Sequence, residues 1–189
     1  MIRNKNRGRS CSPEERADIL AVFEELELLK PAPGTLLQDA ELAKLLDGQW
    51  FLQYTASGTE ETAAETVPGS VNAAGIEVDT SNNATIVQQN IDVNRQTLQN
   101  LVLTRWGGYY VDAKFKCSES CGQRADITFE TFGFQIGPLR FSTKLLFALI
   151  NWKRKDGGAW LTTTFVDDSM RLARGNKGSV FILTKKERI

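Results

Sequence analysis

The sequence contains no histidine among its 189 residues. This absence excludes Ser-His-Asp and Cys-His nucleophilic sites, histidine general bases, and most zinc or iron sites, because each of them needs an imidazole. Cysteine is scarce as well, with Cys11, Cys117 and Cys121 as its three occurrences. An odd number argues against a secreted disulfide framework. We therefore expect no metal, no cofactor and no catalytic residue, and the composition favours a binding protein over an enzyme.

Cys117 and Cys121 are separated by three residues and have no other cysteine or histidine nearby in the sequence. A four-ligand zinc site is therefore implausible. If the segment forms a hairpin tip, the two sulfurs either cross-link or remain free thiols beside a turn. The spacing leaves both alternatives open.

Long apolar runs and an excess of one charge are also missing. The longest wholly apolar run is the six-residue stretch 145–150, whereas a membrane-spanning helix needs about 20 residues. Lys plus Arg number 23 and Asp plus Glu number 23, so no global field attracts nucleic acid. The N-terminus lacks the apolar stretch of a secretory signal and is too short for a typical transit peptide. We expect a chain that is neither secreted nor membrane-spanning, with no nucleic-acid partner.

An N-terminal helical segment is predicted over 1–47. Ser12 is a suitable N-cap with Pro13 in the first helical position, and apolar residues then recur at three- and four-residue spacing up to Leu29. Lys30 to Gly34 contains two prolines and ends this helix. A second, shorter helix is predicted over about 36–46. The whole segment is expected to pack on or cap the β region that begins at residue 48.

From Gln49 the apolar period changes to two, which is typical of half-buried strands. Strands are predicted near 49–55, 85–92, 97–106, 109–117, 125–130, 160–166, 170–174 and 179–185, most of them joined by short turns. Eight or nine consecutive strands favour an antiparallel up-and-down barrel or a sandwich over 48–189. An eight-stranded barrel either fills itself with side chains or holds one small ligand.

Trp50 opens the first strand, and Arg171 and Arg174 lie on a late one. First and last strands are neighbours in a closed barrel, so a guanidinium can stack on the indole and plug one end. The other end would then be the mouth. Either arginine could instead face an anionic or carbonyl head group.

The alternation also predicts which apolar side chains face inward. They either line a cavity for an apolar molecule or simply pack the interior. The predicted residues are Trp50, Leu52, Tyr54, Tyr109, Val111, Phe115, Ile127, Phe129, Leu161 and Phe165.

A membrane-contact segment is predicted between strands, where an apolar stretch ending in a tryptophan is followed by three cations. Such a stretch is what a peripheral anchor needs, although a buried strand or short helix with a solvated basic turn has the same pattern. The predicted contact residues are Leu146, Phe147, Trp152, Lys153, Arg154 and Lys155.

Several motifs in order resemble the plastid lipid-associated protein family, also called fibrillins. The resemblance covers nearly the whole chain and is strongest in Thr162–Gly175, which contains Arg171-Leu172-Ala173-Arg174-Gly175. The other matching motifs are Asn6-Arg7-Gly8, Pro31-Ala32-Pro33, Leu46-Asp47-Gly48-Gln49-Trp50, Tyr54-Thr55, Gln88, Ile91-Asp92, Asn100 and Gly178-Ser179-Val180-Phe181. Phe165 departs from the tyrosine that is usual in the family at that position.

The resemblance implies a mainly β fold, an antiparallel lipocalin-like β-barrel with one or two N-terminal α-helices. It also implies non-catalytic binding, storage or transport of a quinone, carotenoid or acyl lipid at photosynthetic membranes or lipid droplets. The expected location is a thylakoid or the cytoplasm in a cyanobacterium, or a plastoglobule or thylakoid for a mature plastid form. Two alternatives remain open: a filled barrel that docks a lipid-biosynthesis enzyme or photosystem component, and an enzyme using Tyr54, Tyr109 or a carboxylate as proton donor.

Overall fold

The computed structural model describes residues 6–56, 85–142 and 159–185. A 3-10 turn, Asn6–Gly8, precedes helix α1 (Pro13–Leu29), the single-turn helix α2 (Ala40–Ala43) and a second 3-10 turn, Lys44–Leu46. The strands are β1 (Gly48–Ala56), β2 (Ile86–Asp92), β3 (Thr97–Leu103), β4 (Gly108–Cys117), β5 (Arg124–Ile136), β6 (Leu139–Ser142), β7 (Ala159–Val166), β8 (Met170–Gly175) and β9 (Val180–Thr184).

Helix α1 begins where the sequence predicts it. The Ser12 Oγ accepts a hydrogen bond from the Glu15 backbone N–H, and the Glu15 side chain accepts one from the Ser12 N–H. This capping box satisfies two backbone donors that the first helical turn would otherwise leave unpaired. One face of α1 buries Ile19 and Phe23, while Leu28 is 83% exposed. Helix α1 therefore packs on the molecule along one side.

The second predicted helix is shorter than the pattern suggests. Asp39 caps α2 by accepting hydrogen bonds from the Glu41 and Leu42 N–H groups, so the helix begins four residues later than predicted. The Leu36 N–H instead donates to the Pro33 carbonyl in a turn. Local Asx capping therefore overrides the helical spacing of the leucines before Asp39.

All nine strands form one antiparallel sheet that closes in a ring. Each strand pairs with its neighbour in sequence except that β5 pairs with both β6 and β7, and β9 returns to pair with β1. Because β6 pairs with β5 alone among the described strands, the other eight of these strands form the ring. The predicted mainly β, antiparallel fold is confirmed.

Two buried apolar clusters lie on opposite sides of the strands. The inner cluster occupies the interior of the ring, and the outer cluster lies between α1 and the outer face of β1, β7, β8 and β9. Consecutive residues of β9 alternate between them, since Phe181 and Leu183 join the inner cluster and Val180 and Ile182 the outer one. Strand β9 is therefore buried on both faces, which explains its near-continuous apolar sequence.

The β5–β6 hairpin is the part of the sheet that the sequence does not predict. Strand β5 continues to Ile136, six residues past the predicted end at Glu130, and β6 comes after a turn at Gly137. All four residues of β6 are exposed, so this strand has no burial alternation to reveal it. Gly137 and Pro138 therefore form the turn of a hairpin, in which Ile136 pairs with Leu139.

Candidate functional site

The interior of the ring is lined by one continuous cluster of buried apolar side chains, contributed by several strands. Eight of the residues predicted to face inward belong to this inner cluster or pack against it: Trp50, Leu52, Tyr109, Val111, Phe115, Ile127, Phe129 and Leu161. Such a lining suits an acyl or isoprenoid chain, since each CH2 group removed from water contributes about 0.8 kcal/mol.

A β-bulge in β1 turns Tyr54 out of the interior. Leu52 and Tyr54 pair with consecutive residues of β9, so Gln53 is the extra residue and the alternation reverses after it. Tyr54 is fully buried in the outer cluster, beside the 3-10 turn and α1. The prediction that Tyr54 lines the interior is therefore wrong, because it assumed uninterrupted alternation.

A second bulge has the same effect on Phe165. Thr163 and Phe165 pair with consecutive residues of β8, which makes Thr164 the extra residue. Phe165 consequently joins the outer cluster, where the Lys30 ammonium lies 5.9 Å from its ring centroid. The predicted inward position of Phe165 is also wrong, for the same physical reason.

Arg171 and Arg174 lie on opposite faces of β8. The Arg171 side chain points inward, with its guanidinium carbon 5.1 Å from the centroid of the Trp50 ring, as predicted for one of the two arginines. Arg174 lies on the outer face, where its Nε and Nη2 donate to the two carboxylate oxygens of Glu27 on α1 at 2.9 and 2.6 Å. Its guanidinium carbon is 5.1 Å from the Phe23 ring centroid. Arg174 therefore links α1 to the outer face of the ring.

Two polar residues that the sequence analysis did not predict to face inward accompany Arg171 in the interior. The Arg171 Nη2 donates to Gln89 Oε1, and Gln89 Nε2 donates to Asn100 Oδ1 at 2.9 Å. All three side chains are buried, yet Arg171 Nε and Asn100 Nδ2 have no hydrogen-bond partner among the residues that the structure describes. Gln89 and Asn100 occupy inward positions between apolar neighbours in β2 and β3, and this polar interruption was the signal that could have revealed them.

Burial sets the electrostatics of this polar group. It lowers the pKa of the Arg171 guanidinium to about 9, which leaves the group protonated at neutral pH. Among the residues that the structure describes, no carboxylate forms an ion pair with Arg171. The ammonium of Lys185 also lies 5.1 Å from the Trp50 ring centroid. This part of the interior therefore has a positive charge that no carboxylate of the described residues neutralises.

A small cavity adjoins the polar group. Its volume is about 20 Å³, room for one water molecule. Leu52 and Val87 line it where β1 and β2 separate, since the pairing of these strands ends at Phe51 and Gln88. Beyond that pair, β1 continues against β9 and β2 against β3. The cavity thus lies at a split in the wall of the ring.

One end of the ring is plugged by the segment between α1 and β1, which includes α2. Ala32, Leu36 and Leu46 belong to the inner cluster, and Leu36 is fully buried. The Trp50 indole Nε1–H donates to the Leu46 carbonyl at 2.8 Å, and the Ala32 N–H donates to the Thr164 carbonyl at 2.8 Å. We call this the plugged end; β1, β3 and β5 begin there.

The 3-10 turn Asn6–Gly8 lies near the opposite end, where β1 finishes and β2 begins. The Arg7 guanidinium donates to the Thr85 carbonyl. Gly8 has φ +96°, and a Cβ there would lie 2.7 Å from the Thr55 carbonyl oxygen. Burial raises the pKa of inward-facing Tyr109 to about 12, against the opposing effect of Arg9 and Arg7. The turn therefore bridges the two strands that separate at the cavity.

Exposed apolar side chains collect at two neighbouring hairpins at this end. Trp106 is 80% exposed in the β3–β4 turn, and Ile136, Leu139 and Phe141 of the β5–β6 hairpin are at least half exposed. The Arg140 guanidinium lies over the Tyr110 ring, and that of Arg105 over Trp106. The predicted membrane-contact residues 146, 147 and 152–155 lie outside the described residues.

Other predicted features concern the cysteines, metals and membrane-spanning segments. Cys11, Cys117 and Cys121 are free thiols, and burial raises the pKa of Cys117. Within residues 6–56, 85–142 and 159–185, no group of three or more His, Cys, Asp or Glu side chains is placed to hold a metal ion. No helix in the same part of the chain is both long and apolar enough to cross a membrane.

Curated proteins of plants resemble this chain over almost its full length. The "Light-induced protein, chloroplastic" of Solanum demissum is 25% identical over 96% of this chain and 63% of its own length. The "Chromoplast-specific carotenoid-associated protein, chromoplastic" of Cucumis sativus is 25% identical over 96% of this chain and 64% of its own. The chain thus spans less than two thirds of the length of these relatives.

A further relative is the "Probable plastid-lipid-associated protein 12, chloroplastic" of Arabidopsis thaliana, 26% identical over 98% of this chain and 42% of its own length. Among solved structures, a chain named "REP1-NXSQ fatty acid transporter" aligns with 76% of this chain and 97% of its own, with 11% identity and a TM-score of 0.32. The family model described as PAP_fibrillin matches residues 1–184. The predicted family is thereby confirmed, and the chain belongs to the PAP_fibrillin family, that of the plastid lipid-associated proteins or fibrillins.

Proposed function

We propose that the chain binds, stores or transports an apolar small molecule, namely a quinone, carotenoid or acyl lipid, at photosynthetic membranes or lipid droplets, without catalysing a reaction. The observation that carries this proposal is the apolar inner cluster, which surrounds a cavity at the point where β1 and β2 separate. Two relatives whose names refer to plastid lipids and carotenoids support the same class of ligand.

The plugged end limits where the ligand can enter the interior. Ala32, Leu36 and Leu46 fill one end of the interior, so entry takes place at the split or at the opposite end. Leu52 and Val87 flank that route and supply apolar contacts. The ligand is held by burial of its hydrocarbon, and its entry displaces the contents of the small cavity.

Peripheral contact with a lipid surface completes the proposal. The exposed hairpin residues Trp106, Ile136 and Leu139 lie at the end opposite the plug, and β6 leads directly into the segment that contains Trp152 and Lys153. An exposed tryptophan beside arginine is a combination that favours the interface between headgroups and acyl chains. This contact would bring the end of the ring opposite the plug to the membrane that supplies the ligand.

The test is a ligand titration of the purified chain with a plastoquinone analogue, palmitate and β-carotene, followed by tryptophan fluorescence. Saturable binding of at least one compound is expected, together with a co-purifying apolar molecule detected by extraction and mass spectrometry. The variant Val87→Trp fills the split and should lose binding, whereas Ile86→Trp alters the adjacent outward position and should retain it. Absence of saturable binding to all three compounds, and of any extracted ligand, rejects the proposal.

One observation favours a second candidate function, that of a docking scaffold for a lipid-biosynthesis enzyme or photosystem component. The cavity of about 20 Å³ is far below the roughly 300 Å³ that a drug-sized ligand occupies. A ring filled by its own side chains would act through its outer surface. In that case Val87→Trp destabilises the fold without changing any ligand titration, and the wild-type chain binds none of the three compounds.

A further inference from the structure

The unusual feature of the interior is a guanidinium with unused hydrogen-bonding capacity. Arg171 is 1% exposed, and within the described ranges neither its Nε nor the Nδ2 of Asn100 has a hydrogen-bond partner. A buried donor without an acceptor destabilises the folded chain, and an unpaired buried charge destabilises it more. Both residues line the same cavity.

Structural support for the surrounding sheet does not account for this arrangement. Stacking on Trp50 and the hydrogen bond to Gln89 engage one face and one nitrogen of the guanidinium. Arg174, on the same strand, has a structural role, and two of its guanidinium nitrogens donate to the carboxylate of Glu27. The interior arginine has an equivalent set of donors but no such carboxylate among the described residues.

We propose that Arg171, Gln89 and Asn100 form a head-group site for a carboxylate-bearing amphiphile of the fatty-acid class. This inference rests on the proposed function and names the ligand class for the same interior. The carboxylate accepts hydrogen bonds from Arg171 Nε and Asn100 Nδ2 and supplies the missing counter-charge. The acyl chain extends past Leu52 and Val87 into the split between β1 and β2.

Charge distinguishes a carboxylate from the other apolar ligands. A quinone carbonyl accepts a hydrogen bond but leaves the Arg171 charge unneutralised, and a carotenoid hydrocarbon does neither. Arginine hydrogen bonds to carboxylates are stronger than those to neutral acceptors and are commonly bidentate. The site therefore selects an acid over its neutral analogues of equal chain length.

The first experiment uses the unaltered chain and compares palmitate with methyl palmitate, which has the same hydrocarbon chain but no charge. Dissociation constants are measured at pH 8 by fluorescence titration, below the critical micelle concentration of palmitate. Palmitate is expected to bind at least tenfold more tightly. Equal affinity for the two compounds overturns the head-group site and leaves the proposed function standing, whereas binding of neither, nor of a quinone or carotenoid, overturns both.

The second experiment locates the preference. Arg171→Met should lower palmitate affinity at least tenfold while leaving methyl palmitate within about twofold, because it removes the charge and keeps apolar volume. The matched control is Arg174→Met, three residues away on the outer face, which should leave the acid-to-ester ratio unchanged. If the ratio of the affinities for palmitate and methyl palmitate is unchanged in Arg171→Met, the assignment of this site is overturned.

A third variant tests the proposal even if Arg171→Met fails to fold. Asn100→Asp has the same shape and places a carboxylate among the cavity's own residues. It should raise the thermal midpoint of the free chain and abolish the acid preference, because the counter-charge is then built in. A purely structural arginine predicts the stabilisation without any change in the acid-to-ester ratio, and that result overturns the proposal.

Discussion

Arg171 and Arg174 are separated by three positions in β8, and that spacing gives them unrelated environments. One lies in the apolar interior over Trp50, and the other forms a two-point ion pair with Glu27 at the outer surface. Because successive side chains in a strand point to opposite faces, their separation by an odd number of positions directs them apart. Replacement of either residue therefore probes one face of the ring at a time.

A pH titration of stability probes the interior at Tyr109. Its pKa is raised to about 12 by burial, whereas the unfolded value is about 10, so the folded chain retains this proton more strongly. The contribution of this proton to the free energy of unfolding is fully present below pH 10. It is lost as the pH rises towards 12, so the free energy of unfolding declines by about 2–3 kcal/mol. The free energy of unfolding of wild type minus that of Tyr109→Phe, measured in urea, should fall by this amount between pH 10 and 12. A difference that stays constant over that interval contradicts it.

Individual residues also show where the sequence alone fails to predict which side chains face the interior. The alternation in β4 and the first half of β5 places Val111, Phe115 and Ile127 correctly inside. It fails at Tyr54 and Phe165, because one extra residue in each strand reverses the face and the sequence of Gln53 or Thr164 contains no mark of it. The bulges depend on pairing with β9 and β8, which is long-range information.

At the scale of elements, α1 is held by a small number of contacts on one side. Phe23 is 1% exposed in the outer cluster, and the Arg174 guanidinium lies over its ring. Phe23→Ala should lower the free energy of unfolding by about 3–5 kcal/mol, because it leaves a cavity between α1 and the strands. Urea unfolding followed by far-UV circular dichroism is the measurement.

The control for this change lies on the same helix. Leu28 is 83% exposed, so Leu28→Ala should alter the free energy of unfolding by less than about 0.5 kcal/mol. Equal effects of the two substitutions would mean that α1 does not pack through Phe23.

The elements themselves were largely predictable, because local chemistry decides them. Ser12, Pro13 and Glu15 specify the start of α1, and two-residue periodicity specifies most strands. Strand β6 was missed since it is exposed throughout and has no alternation. The polar group of Gln89 and Asn100 was missed for another reason. These two residues meet Arg171 because β2, β3 and β8, which are far apart in the sequence, lie close together in the fold.

At the scale of the whole molecule, charge is distributed unevenly in a chain with no net charge. We expect Lys153, Arg154 and Lys155 to act with the exposed hairpins in binding anionic lipid surfaces. Reversing these three charges to Glu should reduce flotation with anionic liposomes at least fivefold, since each cation contributes about 1 kcal/mol near such a surface.

The matched control reverses three cations near the plugged end, Lys44, Arg95 and Lys116. Its net charge equals that of the first variant, so a general electrostatic effect would reduce flotation equally in both. Flotation that is unchanged in the first variant, or equally reduced in the two, contradicts membrane contact through this segment.

The pairing of β9 with β1 has a consequence for biosynthesis. During translation the first eight strands leave the ribosome before the five residues of β9, so a nascent chain cannot close its sheet until β9 has been synthesised. Until then β1 and β8 present unpaired edges, which are templates for aggregation. A chaperone that shields these edges would thus be needed until β9 emerges, and a premature stop before Val180 would yield a product destined for proteolysis.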